Sequence, residues 1–318
     1  MHWKSKARIQ NAIARLPAKA SYAAYYWMQR HFGGLRDAGP LSRMAAGVES
    51  WRRLERQGVN PTGKVFFEVG TGREPLVPMC YWLMGAGRTI TIDLNPYLKD
   101  ELIQETLADV SRDRDEVRRL FGELLDEARF ADLLEFVDRR RYSTPGFLDL
   151  CCIDYIAPGD ATDTGLPGGS VDFHTSYNTF EHIPPEILRG ILAEGNRIVN
   201  DDGLFVHRID YSDHFSHSDG SISSVNFLQY SDDEWHRWAG NRYMYMNRLR
   251  HDDFLGMFEE ARHAVVDCEP VLDPEALALL RSGRLPLYGR FAGKPEDTLA
   301  IKSSWLVSRK LATGSVPA

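Results

Sequence analysis

The stretch Val65-Phe66-Phe67-Glu68-Val69-Gly70-Thr71-Gly72-Arg73-Glu74-Pro75 constrains this chain more than any other. Its apolar run is too short for a helix and follows a breaker at Pro61–Lys64, so it reads as a buried strand. Gly70 and Gly72 let the backbone turn sharply and let a ligand approach the main chain. Pro75 suits the first turn of a helix, where its missing N–H costs nothing. Strand, glycine turn and helix in this order predict an open α/β sheet with a ligand site at the carboxyl ends of its strands.

What surrounds the glycines narrows the ligand. A dinucleotide fingerprint places a third glycine three residues after the second. Here Pro75 stands there, behind Glu74, and the strand itself carries Glu68. Two carboxylates beside a diphosphate are a poor electrostatic choice; they suit a ligand with a cationic end. Downstream, Thr89-Ile90-Thr91-Ile92-Asp93 is a β-branched second strand ending in an acid 21 residues past Gly72. That spacing fits a carboxylate accepting both hydroxyls of a ribose. Then come Gly159-Asp160-Ala161, Ser170-Val171-Asp172-Phe173 and Ser176-Tyr177-Asn178-Thr179-Phe180-Glu181-His182-Ile183-Pro184, in that order.

At these residues the chain resembles the class I S-adenosylmethionine-dependent methyltransferases, of the small-molecule type with Glu-His-Ile after the fourth strand. The resemblance spans roughly residues 64–210, with a weaker match from 249 onward. It implies an α/β fold with a Rossmann-like, seven-stranded mixed sheet in the methyltransferase order. It also implies S-adenosyl-L-methionine as methyl donor, its amino-acid end at Glu68, Gly70, Thr71 and Gly72, its ribose at Asp93, and its adenine at Asp160 and Ala161. Leu94 and Asn178 join that donor set. In some relatives the Glu-His pair helps hold a divalent metal with another acid three residues earlier. Asn178 occupies that position here, so a divalent metal is without support and no metal ligand is assigned.

Methyl transfer from a sulfonium is an in-line displacement, so the protein has to align the acceptor and remove a proton where needed. A hydroxyl acceptor calls for a base, and His182, Asp210 and His214 are the candidates at the ends of strands four and five. Against this, His182 can equally be a helix-start residue bonding the backbone. Asp213, His214 and His217 form a second group able to supply a base or a metal ligand, or to be solvated loop residues. Tyr243, Tyr245 and Arg248 either line an acceptor with sugar-like or anionic groups or simply pack. The long polar stretch Tyr211–Gln229 reads as a binding loop. Together these features predict a small-molecule or glycan-like acceptor methylated at oxygen. A nicotinamide-dependent oxidoreductase is disfavoured by the missing third glycine, and a non-catalytic binding or scaffold protein by the intact set Glu68, Asp93 and Asp160.

The remaining features set the boundaries. Residues 1–60 read as a helical extension, broken near Pro17, with a further helix over Arg43–Gln57. Residues 61–310 read as the catalytic domain, 98–141 as a helical insertion after the second strand, and 311–318 as a flexible tail. Later elements are a third strand at Phe147–Ile156, a helix at Pro184–Val199, a turn at Asn200–Gly203, and strands at Leu204–Asp210, Ala264–Cys268 and Leu299–Val307. The net charge of −7 argues against a nucleic-acid partner, since a phosphate-binding surface needs a basic excess. Residues 1–36, however, carry seven Lys/Arg and no acid, which would allow peripheral contact with an anionic membrane. The four cysteines lack metal spacing, and no secretory segment is evident, so a cytoplasmic protein is expected. Oligomeric state has no signature in the sequence.

Overall fold

The computed structural model describes residues 1–35, 39–139 and 143–311. At its centre lies β1 (Val65–Val69), whose alternating side chains point to opposite faces of a sheet: Phe66 into one apolar cluster, Phe67 into another. β1 pairs in parallel with β2 (Arg88–Ile92) and with β4 (Val171–Tyr177). β3 (Ile153–Ile156) extends the sheet beyond β2, and β5 (Val199–Asp210) beyond β4. The last strand, β7 (Ile301–Lys310), runs antiparallel between β5 and β6 (His263–Leu272). The order β3-β2-β1-β4-β5-β7-β6 is the Rossmann-like, seven-stranded mixed sheet that the sequence predicts. Because strand order reverses between β1 and β4, a crevice opens there at their carboxyl ends.

Helices cover both faces. On the Phe66 face lie α3 (Leu41–Arg56), α4 (Leu76–Leu83) and the insertion, which is helical as expected: α5 (Asp100–Arg112), α6 (Arg114–Phe121) and α7 (Glu127–Asp138). Leu107, Val110, Val117, Phe130 and Leu133 of the insertion are all buried there. The far limit of the insertion, Arg141, and all of the tail but its first residue, Leu311, lie outside the described residues. On the Phe67 face lie α9 (Pro185–Ile198) and α11 (His251–Glu260). A third cluster gathers Trp3, Phe215, Phe227, Trp235 and Leu280, joining α1 (Trp3–Ala14), α10 (Asp232–Ala239) and α12 (Pro274–Arg281). After Pro17 the chain continues as α2 (Ala18–Phe32). No helix among the described residues is long and apolar enough to cross a membrane.

Several boundaries differ from expectation. Residues Phe147–Leu150 are not strand but the end of α8 (Thr144–Leu150), capped by Ser143, whose hydroxyl accepts from the Gly146 N–H at 3.1 Å. Pro75 precedes α4 as its cap instead of lying inside it. The expected turn at Asn200–Gly203 is absorbed into β5. Leu299 closes a one-turn helix, Glu296–Leu299, so β7 starts at Ile301.

The two edges of the sheet are unlike each other. β3 has four residues, whereas β6 has ten and leaves Val265, Val266, Val271 and Leu272 between 36% and 40% exposed. β6 is bulged between Val265 and Asp267 and carries Pro270. Its Asp267 and Glu269 both pair with the buried Arg53 of α3, the former at 2.8 Å.

Candidate functional site

The carboxyl ends of β1, β2 and β4 surround a cavity of about 370 Å³. Glu68, Gly70, Thr71, Gly72, Asp93, Asn178 and His182 line it together, as do Arg73, Tyr97, Tyr177 and Thr179. Asp93 is fixed by two main-chain donors: the Gly72 N–H gives to Oδ2 at 2.9 Å and the Asn95 N–H to Oδ1 at 3.1 Å. Glu68 is 3% exposed and accepts from the Thr91 hydroxyl at 3.0 Å; Thr91 in turn meets the Thr71 hydroxyl at 2.6 Å. Burial pushes the Glu68 carboxyl up to about 8, the charge of Asp93 adding to it and the Thr91 bond opposing.

The two glycines have different duties. Gly70 has φ +93°, and a β-carbon there would stand 2.4 Å from the Thr179 hydroxyl oxygen. Gly72 has φ +69° and lines the cavity, yet a β-carbon on it would meet nothing within 4 Å. Gly70 serves the close approach of β1 to the Thr179 segment; Gly72 keeps room beside the main chain for a ligand. Glu74 lines the cavity as the sequence implies, but its charge is paired with Arg43, which lines it too. It is 7% exposed, pairs with Arg43 at 3.1 Å and accepts from Thr106.

Three expected donor contacts stand apart from this cavity. The Gly159 N–H donates to the Asp93 carbonyl at 2.9 Å, which brings the next residue, Asp160, to the end of β2. The Asp160 carboxylate itself accepts from the Thr162 N–H at 2.8 Å and hydroxyl at 2.7 Å, and these bonds hold it below the usual carboxylate range. Ala161 packs against the second core cluster, and Leu94 is 74% exposed.

Beyond β4 the chain turns through Asn178, at φ +50°, whose Oδ1 accepts from Arg208 at 2.6 Å. A short 3-10 turn, Phe180–His182, follows. Asn247 clamps it by donating to the carbonyls of Phe180 (2.8 Å) and Ile183 (2.9 Å). His182 Nδ1 lies 2.9 Å from the Tyr245 carbonyl, so it must carry the proton there, leaving the Nε2 lone pair free. Its ring keeps an exposed edge, but protein surrounds most of it. That burial, with His214 alongside, lowers its pKa to about 4, and His182 is neutral near pH 7.

His214 stands against His182 with ring centroids 4.8 Å apart, and its Nε2 is 3.6 Å from Asp210 Oδ2. Burial raises the Asp210 carboxyl, but His214 and two bonds from Ser212 (2.8 and 2.6 Å) outweigh it and keep Asp210 ionised. Glu181 is 2% exposed, and neither of its carboxylate oxygens has a hydrogen-bond partner among the described residues. Burial, with Asp210 adding, pushes its carboxyl well up. Ligand atoms of Glu181, His182 and His214 lie within 4.8 Å of one another. A buried carboxylate without a donor beside two imidazoles suits a divalent cation. The third member of this group, His214, comes from a segment well beyond the fourth strand, not from position 178.

Other sequence candidates have structural duties. Asp213 is fully buried and accepts from the Phe215 N–H and Asn226 amide, both at 2.9 Å; burial pushes it up to about 6. Tyr211–Gln229, expected as a binding loop, is anchored in the core by Tyr211, Phe215, Val225, Phe227 and Leu228, with exposed residues between them. Arg248, 3% exposed, donates to the carbonyls of Phe227 (3.0 Å) and Tyr230 (2.7 Å) and pairs with Asp232. Tyr243 stacks on Tyr25 of α2 at 3.8 Å. Two lining residues that sequence reasoning gave no role, Arg73 and Tyr97, are backed by α2. Tyr22 of α2 donates to Asn95 Oδ1 at 3.1 Å and meets the edge of Tyr97, while the Arg73 guanidinium lies 5.0 Å from the ring of Tyr26.

No protein-family model and no curated protein matches this chain. Among solved structures it is similar to an S-adenosylmethionine-dependent methyltransferase from Methanosarcina mazei, at 11% identity over 81% of this chain and 97% of that one, with a TM-score of 0.44. It is also similar to the geranyl diphosphate C-methyltransferase of Streptomyces coelicolor A3(2) in complex with Mg²⁺, geranyl diphosphate and S-adenosyl-L-homocysteine. There the identity is 10%, the coverage 84% and 79%, and the TM-score 0.44. A geranyl diphosphate methyltransferase in complex with S-adenosylmethionine overlaps 95% of both chains at 11% identity and a TM-score of 0.42. Overlaps this loose carry no functional weight, and the chemistry rests on the residues of this chain.

Proposed function

We infer that this chain transfers a methyl group from S-adenosyl-L-methionine to an oxygen of a small or glycan-like acceptor. The observation that carries this is one cavity joining the wall of Glu68, Gly72 and Asp93 to His182. When bound, S-adenosyl-L-methionine supplies an electrophilic methyl on a sulfonium. Asp93, oriented by two main-chain N–H groups, presents acceptors to a pair of ribose hydroxyls. Glu68 offers negative charge to the cationic part of the donor, and a cation beside it favours its ionised form. His182, neutral and with Nε2 free, takes a proton from the acceptor hydroxyl. If Glu181, His182 and His214 instead held a divalent metal, His182 Nε2 would be a ligand and no longer the base, and the metal's charge would acidify the hydroxyl at that point.

The first test is calorimetric binding of S-adenosyl-L-homocysteine to the wild type and to Asp93→Ala. Micromolar binding that weakens at least tenfold in the variant, about 1.4 kcal/mol, supports the donor site. A folded wild type that fails to bind would end the methyltransferase assignment and leave a non-catalytic protein on this fold.

A further inference from the structure

Away from the donor cavity, α1 and α10 enclose an open groove of about 620 Å³. Lys4, Arg8 and Arg15 line it from α1 and its C-cap, Arg237 from α10, with Trp238 and Tyr230 as aromatic walls. In a chain of net charge −7, four cations facing one groove is a concentration that solvation alone does not require. None of the four makes an ion pair among the described residues; Lys4 and Arg8 instead rest on Trp238, 5.4 and 5.7 Å from its centroid. Glu234, which also lines the groove, accepts from the Ser231 N–H at 2.9 Å in the capping box of α10; Arg237 stabilises its charge, but the two form no ion pair among the described residues.

The walls are also fixed. Trp3 is 2% exposed in the third core cluster, and its N–H donates to Asp219 at 2.7 Å. Asn11 donates to the Arg237 carbonyl at 2.9 Å and accepts from Asn241 at 2.8 Å, which latches α1 to the end of α10. Two cations resting on Trp238, with Arg15 and Arg237 beside them and one acid among four positive charges, make a receptor for a multivalent anion; guanidinium forks match phosphate oxygens in pairs. The volume accommodates a phosphate with an attached sugar or apolar group against Trp238.

We propose that this groove binds a phosphate- or diphosphate-bearing ligand through Lys4, Arg8, Arg15 and Arg237, independently of the donor cavity. The ligand is either a soluble phosphorylated molecule or the headgroup of an anionic lipid, which share this chemistry. The test uses the full chain with two probes: inorganic pyrophosphate by calorimetry, and phosphatidylglycerol against phosphatidylcholine vesicles by co-sedimentation. Variants are Arg8→Glu with Arg15→Glu, Arg237→Glu on the opposite wall, and Arg119→Glu as a charge control on the insertion, far along the chain.

Pyrophosphate should bind wild type with a Kd below about 1 mM and lose at least tenfold in either groove variant, with Arg119→Glu unchanged. Pyrophosphate binding without vesicle binding assigns a soluble ligand. Retention on phosphatidylglycerol vesicles alone, lost in the groove variants, assigns a lipid headgroup. Binding of neither probe overturns the proposal, as does an equal loss in Arg119→Glu, which would mark net charge alone as the cause. Matching circular dichroism and an unchanged S-adenosyl-L-homocysteine affinity show that each variant is folded.

Discussion

The donor wall and the acceptor corner share one cavity but are finished to different degrees. At the donor wall every carboxylate is provided for: Asp93 by two N–H groups, Glu68 by Thr91, Glu74 by Arg43 and Thr106. At the acceptor corner both oxygens of Glu181 are buried with no hydrogen-bond partner among the described residues, and the Nε2 of His214 has only Asp210, at 3.6 Å. An unpaired buried polar group costs about 1–3 kcal/mol, so the corner carries a debt of stability that a bound group would cancel. The wall is ordered without a ligand, whereas the corner would be completed by one.

Three changes test that contrast, the largest first. Gly70→Ala attacks the wall through its backbone: the φ of +93° and the clash with Thr179 should cost about 3 kcal/mol. Thermal melting should fall by several degrees and S-adenosyl-L-homocysteine binding should collapse; a melting point within a degree of wild type would show that the turn is not strained. Glu181→Gln attacks the corner. Mn²⁺ affinity, read by calorimetry, should fall by about 100-fold, equal to ~2.7 kcal/mol, while S-adenosyl-L-homocysteine affinity stays within about twofold. Equal Mn²⁺ binding in the variant would remove the cation from the corner.

The smallest effect concerns protons. Glu68 titrates near 8 in the free protein against an ordinary value of 4.5, so it is largely protonated at pH 7. A cationic donor favours the carboxylate, so binding should release a proton and tighten by up to about tenfold per pH unit, levelling off above pH 8. Calorimetry in buffers of different ionisation enthalpy reads the release directly, and Glu68→Gln should abolish it. The same shift makes stability decline as pH rises from 4.5 to about 8, because the unfolded chain ionises first. Proton-neutral binding at pH 7 would place the donor's positive charge away from Glu68.

Much of the donor wall was legible because its contacts are local. A strand, two glycines and an acid at the end of the next strand are all that Asp93 and Gly72 need to meet. The corner was less legible because its geometry is set from afar. His182 owes its tautomer to a carbonyl 63 residues downstream, and His214 reaches Glu181 and His182 from a separate segment. Strand alternation could not separate Asp210, which faces His214, from Asp213, which is turned into the core. The neutralisation of Glu74 depends on Arg43, a residue of the preceding helix with no sequence cue. Ser143-Thr144-Pro145 is a helix-start signature, masked by the apolar run that follows it.

The unequal sheet edges bear on how the molecule behaves in a crowd. An unpaired strand offers its free N–H and C=O groups to any passing chain. β3 answers by brevity, since four residues give little for another strand to grip. β6 is long and carries exposed valines, yet the bulge bends it, Pro270 lacks a donor, and Arg53 ties its acids back to α3. Loss of Arg53 would therefore free two acids and a ten-residue edge at once, turning a guarded margin into a surface for self-association.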